Sequence, residues 1–185
     1  ILSSLPSPLA AIQLLWVNLV TDSLPAMALG TEKAESDIMN RKPISPKKGF
    51  FSDGLWLDIL IEGALIGTLT ILAYLIGLYT FGTNNLILGR TMAFTVLSFC
   101  EIFQAINIRS SIPLYKAGIF SNKMMNTAIL VCGGVQASVV IFPFLANLFG
   151  VTVLNPIQWA ISLLLSSVIL LIGEIGKTVY YFNHK

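Results

Sequence analysis

The sequence predicts an all-α fold, a polytopic transmembrane helical bundle with five membrane helices. Composition is the first observation behind this prediction, because 55% of the 185 residues are hydrophobic and only 11% are charged. Soluble domains carry about 25% charged residues. The charges are also clustered, so that residues 69–89 and 126–173 contain none. Since about 20 apolar residues match the hydrocarbon thickness of a bilayer, we expect residues 1–185 to form one domain in contact with lipid.

Three of the predicted helices lie in the first 108 residues. The first covers residues 9–29, an apolar run that follows the turn-forming stretch SSLPSPL. The second covers residues 55–81 and carries two acids in its first two turns, where a helix N-terminus favours negative charge. The third covers residues 91–108 and has Glu101 in its middle.

Two more helices complete the bundle. The fourth covers residues 124–149 and contains Pro143, which predicts a kink or an early end because proline cannot donate the helical hydrogen bond. The fifth covers residues 157–182. Aromatic side chains favour the membrane interfaces, and the helix ends carry such anchors at Trp56, Trp159, Tyr180 and Tyr181.

Basic residues predict the orientation of the helices. Ten of the eleven Lys and Arg residues fall in connections 30–54 and 109–123 or near the C-terminus, and only Arg90 falls on the other side. Cytoplasmic loops carry an excess of Lys and Arg. We therefore expect loop 30–54 and the C-terminus to be cytoplasmic, with the first helix running from outside to inside.

Several classes of function are disfavoured by the remaining composition. Cys100 and Cys132 lie in apolar segments without a CxxC or Cys/His cluster, which argues against a disulfide framework or a metal–thiolate site. We expect His184 to be a solvated tail residue, and we expect no nucleic-acid partner. The chain begins at Ile1 without a basic stretch before an apolar one, so we expect part of a larger protein rather than a signal peptide.

Polar residues interrupt the first helix in the stretch WVNLVTDSLP. Asn18, Thr21 and Asp22 are spaced i, i+3 and i+4, so on a regular helix they share one face. Pro25 follows Thr21 by four residues and deprives the Thr21 carbonyl of its helical partner. These groups are hard oxygen donors, which suit Ca²⁺. The alternative is that Asn18 and Thr21 bridge helices by hydrogen bonds, with Asp22 protonated or paired to a base.

Glu101 is the second acid at membrane depth. Ser98 and Gln104 flank it at i−3 and i+3 on the same helical face. Together, Asp22 and Glu101 would give one site two negative charges, which suits a divalent cation. The alternative is a protonated Glu101 that is hydrogen-bonded to Gln104 or to another helix.

The other acids and a glycine motif have structural interpretations. Asp58 and Glu62 lie near the cytoplasmic end of the second helix, and Glu174 lies three residues before Lys177. We expect these acids to be solvated or paired rather than to bind an ion. The sequence EGALIG contains a GxxxG pattern at 63–67, which predicts a close helix interface.

These motifs carry a resemblance to a known family. The stretch QLLWVNLVTDSLPAMALG resembles the sixth transmembrane helix of P-type (E1–E2) cation-transporting ATPases of the calcium-pump class, and DIMNRKP resembles the loop that follows it. The stretch RTMAFTVLSFCEIFQAIN resembles the eighth helix, and LYKAGIFSNK resembles the next cytoplasmic loop in bacterial members. The resemblance covers essentially the whole chain and implies that its five segments are helices six to ten.

The resemblance also implies a function. By position in the motif, Asn18, Thr21 and Asp22 are expected to be cation ligands, and Glu101 is expected to contribute to a Ca²⁺ site. ATP and Mg²⁺ would act only in the full-length parent, because the DKTGT phosphorylation motif does not occur in this chain. The fragment alone is therefore expected neither to hydrolyse ATP nor to hold Ca²⁺ tightly.

The expected partners and the alternatives follow from the same resemblance. The remaining helices and cytoplasmic domains of the pump would pack against this chain in a bacterial plasma membrane, and the excised fragment could self-associate. One alternative is a pump for another cation, namely Na⁺, H⁺ or Mn²⁺. Another is a non-enzymatic membrane scaffold.

Overall fold

The computed structural model describes residues 7–32, 39, 55–81, 85–118 and 120–183. Most of loop 30–54 and His184 lie outside these residues. Five helices in the described part are long and apolar enough to cross a membrane. The described elements contain helices and no strands, which confirms the predicted all-α class with five membrane helices.

The first membrane helix is a composite of three pieces. It begins as α1 (Ala11–Trp16), widens into a π-helical turn (Val17–Asp22) and continues as α2 (Ser23–Leu29). The remaining elements are α3 (Leu55–Tyr79), α4 (Leu86–Ile108), α5 (Leu114–Ala117), α6 (Lys123–Ile141), α7 (Pro143–Phe149) and α8 (Pro156–Asn183).

The third membrane helix starts earlier than the sequence predicted. It begins at Leu86 rather than at residue 91, because the Asn85 side chain accepts a hydrogen bond from the Leu88 amide at 3.1 Å and caps the helix. Arg90 therefore lies within the helix and not in the preceding loop. Its Nε donates to the Ser7 carbonyl at 2.9 Å, which ties the beginning of α4 to the segment before α1.

Pro143 ends the fourth membrane helix early, as predicted. The helix α6 stops at Ile141, and Phe142 adopts an extended backbone with φ −87° and ψ 119°. Proline disfavours a helical conformation in the residue before it. Pro143 then becomes the first residue of the short helix α7, a position where its missing N–H costs nothing.

The helix α4 lies at the centre of the bundle and packs against α3, α6, α8 and the π-helical turn. It approaches α3 closely at Gly77 and Gly89, where a Cβ built on Gly77 would lie 2.8 Å from the Gly89 Cα. Small residues let membrane helices approach this closely. The packing predicted for the GxxxG pattern is not found in the described chain, because nothing lies within 4 Å of a Cβ built on Gly63 or Gly67.

Candidate functional site

The π-helical turn is the local feature that shapes the candidate site. It spans Val17–Asp22, where the sequence predicted a regular helix with one freed carbonyl. Pro25 has no N–H, so it can serve neither the Thr21 carbonyl in an α-helical register nor the Val20 carbonyl in a π-helical register. A wider turn just before the proline is consistent with this missing donor, and such turns are frequent at functional sites.

The wider turn separates side chains that a regular helix would place on one face. Thr21 is only 1% exposed, and its hydroxyl donates to the Val17 carbonyl at 2.8 Å. Asn18 and Asp22 are both exposed at the surface of this chain. The three side chains therefore do not share one environment, which differs from the expectation based on a regular helix.

A cavity of about 180 Å³ lies between α2 and α4. It brings Thr21 and Asp22 from the first membrane helix together with Glu101 from the third. Asn18, the fourth predicted ligand, is not among the residues that line it. The lining consists of Thr21, Asp22, Pro25, Ala26, Leu29, Glu101, Gln104, Ala105 and Ile108.

Gln104 forms part of the cavity wall, although the sequence marked it only as a neighbour of Glu101. Its Oε1 accepts a hydrogen bond from Asn107 Nδ2 at 3.2 Å, and Asn107 Nδ2 also donates to the Ile169 carbonyl at 2.9 Å. The Gln104 Nε2 atom is buried and has no hydrogen-bond partner among the described residues. The i+3 spacing from Glu101 was the signal that placed Gln104 on the same face.

The cavity is lined by two acids and no base. Asp22 comes from the first membrane helix and Glu101 from the third. No Lys, Arg or His is among the residues that line it. A carboxylate at membrane depth costs at least a few kcal/mol unless it is neutralised, and no basic side chain in the lining offsets the charge of these two acids.

The described residues do not form a complete metal site by themselves. They contain no group of three or more His, Cys, Asp or Glu side chains that could hold a metal ion. The cavity offers two carboxylates, the Thr21 hydroxyl and the Gln104 amide, whereas Ca²⁺ takes six to eight oxygen ligands. A complete Ca²⁺ site at this position would need further ligands from outside the described chain.

The other acids take the structural roles that the sequence predicted or lie away from the cavity. Glu174 pairs with Lys177 at 2.8 Å, and its second carboxylate oxygen accepts from the Leu114 amide at 2.8 Å. This confirms the structural interpretation of Glu174. Asp58 is exposed and Glu62 is half-buried, and neither lines the cavity.

Five apolar helices of spanning length define a multi-pass membrane protein, and the cavity between α2 and α4 is lined by acids from two of these helices. Residues 6–179 match the family described as "Cation transporting ATPase, C-terminus". The chain belongs to this family.

Individual relatives agree with the family. The calcium-transporting ATPase 1 of Bacillus cereus is 37% identical over 186 residues, which cover 92% of this chain and 21% of that protein. The calcium-transporting ATPase of Bacillus subtilis is 37% identical over 167 residues, with 90% and 19% covered. The calcium-transporting ATPase type 2C member 1 of Mus musculus is 32% identical over 181 residues, with 96% and 19% covered. The chain thus spans about a fifth of the length of these relatives.

Proposed function

We propose that this chain forms helices six to ten of an ATP-driven Ca²⁺ pump and supplies part of its intramembrane Ca²⁺ site. The proposed ligands are Asn18, Thr21, Asp22 and Glu101. The observation that carries the proposal is that Asp22 and Glu101, from two different helices, line one cavity without a basic residue in its lining. A bound cation would offset the cost of both carboxylates.

Ca²⁺ matches the chemistry of the cavity. Two carboxylates balance a divalent charge, and the Thr21 hydroxyl oxygen is a hard donor of the kind that Ca²⁺ prefers. Asn18 lies one turn before Asp22 on the exposed surface, where helices outside this chain would complete the ligand shell. The names of the relatives, all calcium-transporting ATPases, support the same ion.

The transport cycle follows from the same groups. ATP and Mg²⁺ would act in cytoplasmic domains outside this chain, and movement of the membrane helices would change the distance between Asp22 and Glu101. When the cation leaves, protons could take its place on the two carboxylates, because a charged carboxylate at membrane depth is costly. In this proposal protons are the counterion.

Contacts at one end of the bundle support the proposed topology. Glu32 after α2 pairs with Arg109 after α4, and Glu174 near the end of α8 accepts from the Leu114 amide. The residues that follow α2, the residues that follow α4 and the end of α8 therefore meet at the same end. We place this end in the cytoplasm, together with loop 30–54 and the C-terminus, in a bacterial plasma membrane.

The decisive experiment measures Ca²⁺-stimulated ATPase activity of the full-length pump in lipid nanodiscs. Asp22→Asn and Glu101→Gln each remove one charge without much change in volume, and each is expected to raise the Ca²⁺ concentration for half-maximal activity at least about tenfold. Asp58→Asn is the matched control, because Asp58 is an exposed acid outside the cavity. Unchanged Ca²⁺ dependence in both cavity variants would refute the proposed site.

An ion panel separates Ca²⁺ from the alternative cations. The wild-type pump is assayed with Ca²⁺, Mn²⁺, Na⁺ and a pH series at constant ionic strength. Stimulation of ATPase activity by micromolar Ca²⁺ is expected. Stimulation by Na⁺ or by protons alone would identify that ion, rather than Ca²⁺, as the transported cation.

A further inference from the structure

The π-helical turn is held by two buried side chains of α6. The Cys132 thiol donates to the Val20 carbonyl with an Sγ–O distance of 3.3 Å. One helical turn further along α6, Gln136 Oε1 accepts from Trp16 Nε1 at 2.9 Å. Cys132 and Gln136 are both 0% exposed. Because they are four residues apart, they present one face of α6 to the turn.

The thiol meets the backbone at the point where the proline removes a donor. Pro25 follows Val20 by five residues, so in a π-helical register it offers this carbonyl no N–H. A backbone carbonyl without a partner in a membrane interior costs free energy. A thiol is a weak donor that otherwise packs as a small apolar group, so it can serve this carbonyl without leaving a strongly polar group unpaired.

Trp16 fixes the other end of the same turn. It is the residue immediately before the π-helical segment, and its ring also packs edge-on against Phe149 at a centroid distance of 4.8 Å. The bond to Gln136 and this aromatic contact hold the entrance of the turn, while Cys132 contacts its middle. The two hydrogen bonds therefore hold Trp16 and Val20, and the second bond lies directly before Thr21 and Asp22 in the chain.

We infer that Cys132 and Gln136 are positioning residues for the cation site: through the π-helical turn, they hold Thr21 and Asp22 at the cavity that faces Glu101. Neither of the two α6 side chains lines that cavity. The inference rests on the proposed function and adds helix nine to the parts of the pump that determine cation affinity. If only a fraction of the pump molecules keeps the π-helical turn, the apparent Ca²⁺ affinity is the intrinsic affinity multiplied by that fraction.

The test uses full-length pump with Cys132→Ala, Cys132→Ser and Trp16→Phe. The alanine variant lacks the donor, and Trp16→Phe removes the indole N–H that Gln136 accepts. Loss of one such hydrogen bond is expected to raise the Ca²⁺ concentration for half-maximal activity about threefold to tenfold, with an unchanged rate at saturating Ca²⁺. Cys132→Ser keeps a donor and is expected to restore affinity to within about twofold of wild type.

Val140→Ala is the matched control. Val140 is also a fully buried residue of α6, but it packs in the cluster of α3, α4 and α8 residues rather than against the turn. It is expected to lower the midpoint of thermal unfolding and to leave the Ca²⁺ dependence unchanged. Equal losses of affinity in Val140→Ala and Cys132→Ala would overturn the inference, because they would show a general effect of core packing.

Infrared spectroscopy of the S–H stretch tests the contact without reference to transport. The Cys132 band, assigned by comparing Cys100→Ala and Cys132→Ala proteins, is expected at the lower frequency of a hydrogen-bonded thiol, and Pro25→Ala is expected to shift it upward. A band at the frequency of a free thiol would overturn the inference even if the pump transports Ca²⁺. If Ca²⁺ does not stimulate the ATPase activity of the wild-type pump, the proposed function is wrong. That result would not contradict the contact between Cys132 and the Val20 carbonyl.

Discussion

Arg109 and Glu32 form an ion pair that joins the ends of α4 and α2. The distance from Arg109 Nε to Glu32 Oε2 is 3.7 Å, and the Arg109 side chain is 1% exposed. The same carboxylate oxygen accepts from Asn122 Nδ2 at 2.7 Å. Leu29 and Ile108, at the ends of these two helices, line the cavity. The pair therefore lies just beyond the end of the cavity that Asp22 and Glu101 line.

Replacing Glu32 by Gln is expected to lower the free energy of unfolding by about 2 kcal/mol, because the buried Arg109 loses the carboxylate charge of Glu32. The measurement is thermal or denaturant unfolding of the full-length protein in detergent. Asp58→Asn, at an exposed acid on α3, is the control and is expected to change stability little. Equal stability of Glu32→Gln and wild type would show that the pair contributes nothing.

Pro25→Ala is expected to separate stability from cation affinity. The alanine restores an N–H four residues after Thr21, so a regular α-helix becomes available to the segment that now forms the π-helical turn. We expect an unfolding free energy equal to or above that of wild type, together with a loss of Ca²⁺ affinity of about tenfold. Ca²⁺ titration of ATPase activity and amide hydrogen exchange across 17–25 measure the two effects. A wild-type Ca²⁺ affinity in this variant would show that the π-helical turn does not determine the affinity of the site.

The glycine pair between α3 and α4 is expected to tolerate no side chain. At Gly77 an added Cβ would meet the Gly89 backbone, which cannot rotate away as a side chain could, so Gly77→Ala is expected to cost about 1–3 kcal/mol of stability. Gly176→Ala on α8 is the control, because nothing lies within 4 Å of a Cβ built there. Unfolding midpoints of the two variants decide the matter, and similar midpoints would contradict the close approach.

Asp22 and Glu101 are expected to behave as one unit in a double-mutant cycle. If both carboxylates bind the same cation, Asp22→Asn combined with Glu101→Gln loses less Ca²⁺ affinity than the product of the two single losses, because each single change already disables the site. The measurement is the Ca²⁺ concentration for half-maximal ATPase activity in the four proteins. Multiplicative losses would indicate two independent sites.

Hydropathy and charge were enough to predict the architecture. Spans of apolar residues without charges identified five helices, and Pro143 predicted the break between α6 and α7 that the structure contains. The depth of Asp22 and Glu101 in their apolar segments also identified both acids of the cavity from sequence. These properties depend on the free energy of transferring each segment from water into lipid. That free energy follows from the residues of the segment itself.

Contacts between helices were decided only by the tertiary structure. The sequence pointed to Gly63 and Gly67 as an interface, whereas Gly77 and Gly89 make the close approach. It assigned Cys132 no role, although the thiol contacts the Val20 carbonyl from another helix. Lipid is as apolar as a packed leucine, so apolar composition does not indicate which helix faces meet.

The sequence by itself thus determined which segments enter the membrane and which acids lie within those segments, because transfer into lipid depends on local composition. The register of the turn before Pro25, the burial of Thr21 and the separation of Asn18 from the cavity lining required the folded chain. The sequence shows that Pro25 cannot donate a backbone hydrogen bond. How the backbone adapts, and which side chain donates to the carbonyl instead, depends on the neighbouring helices.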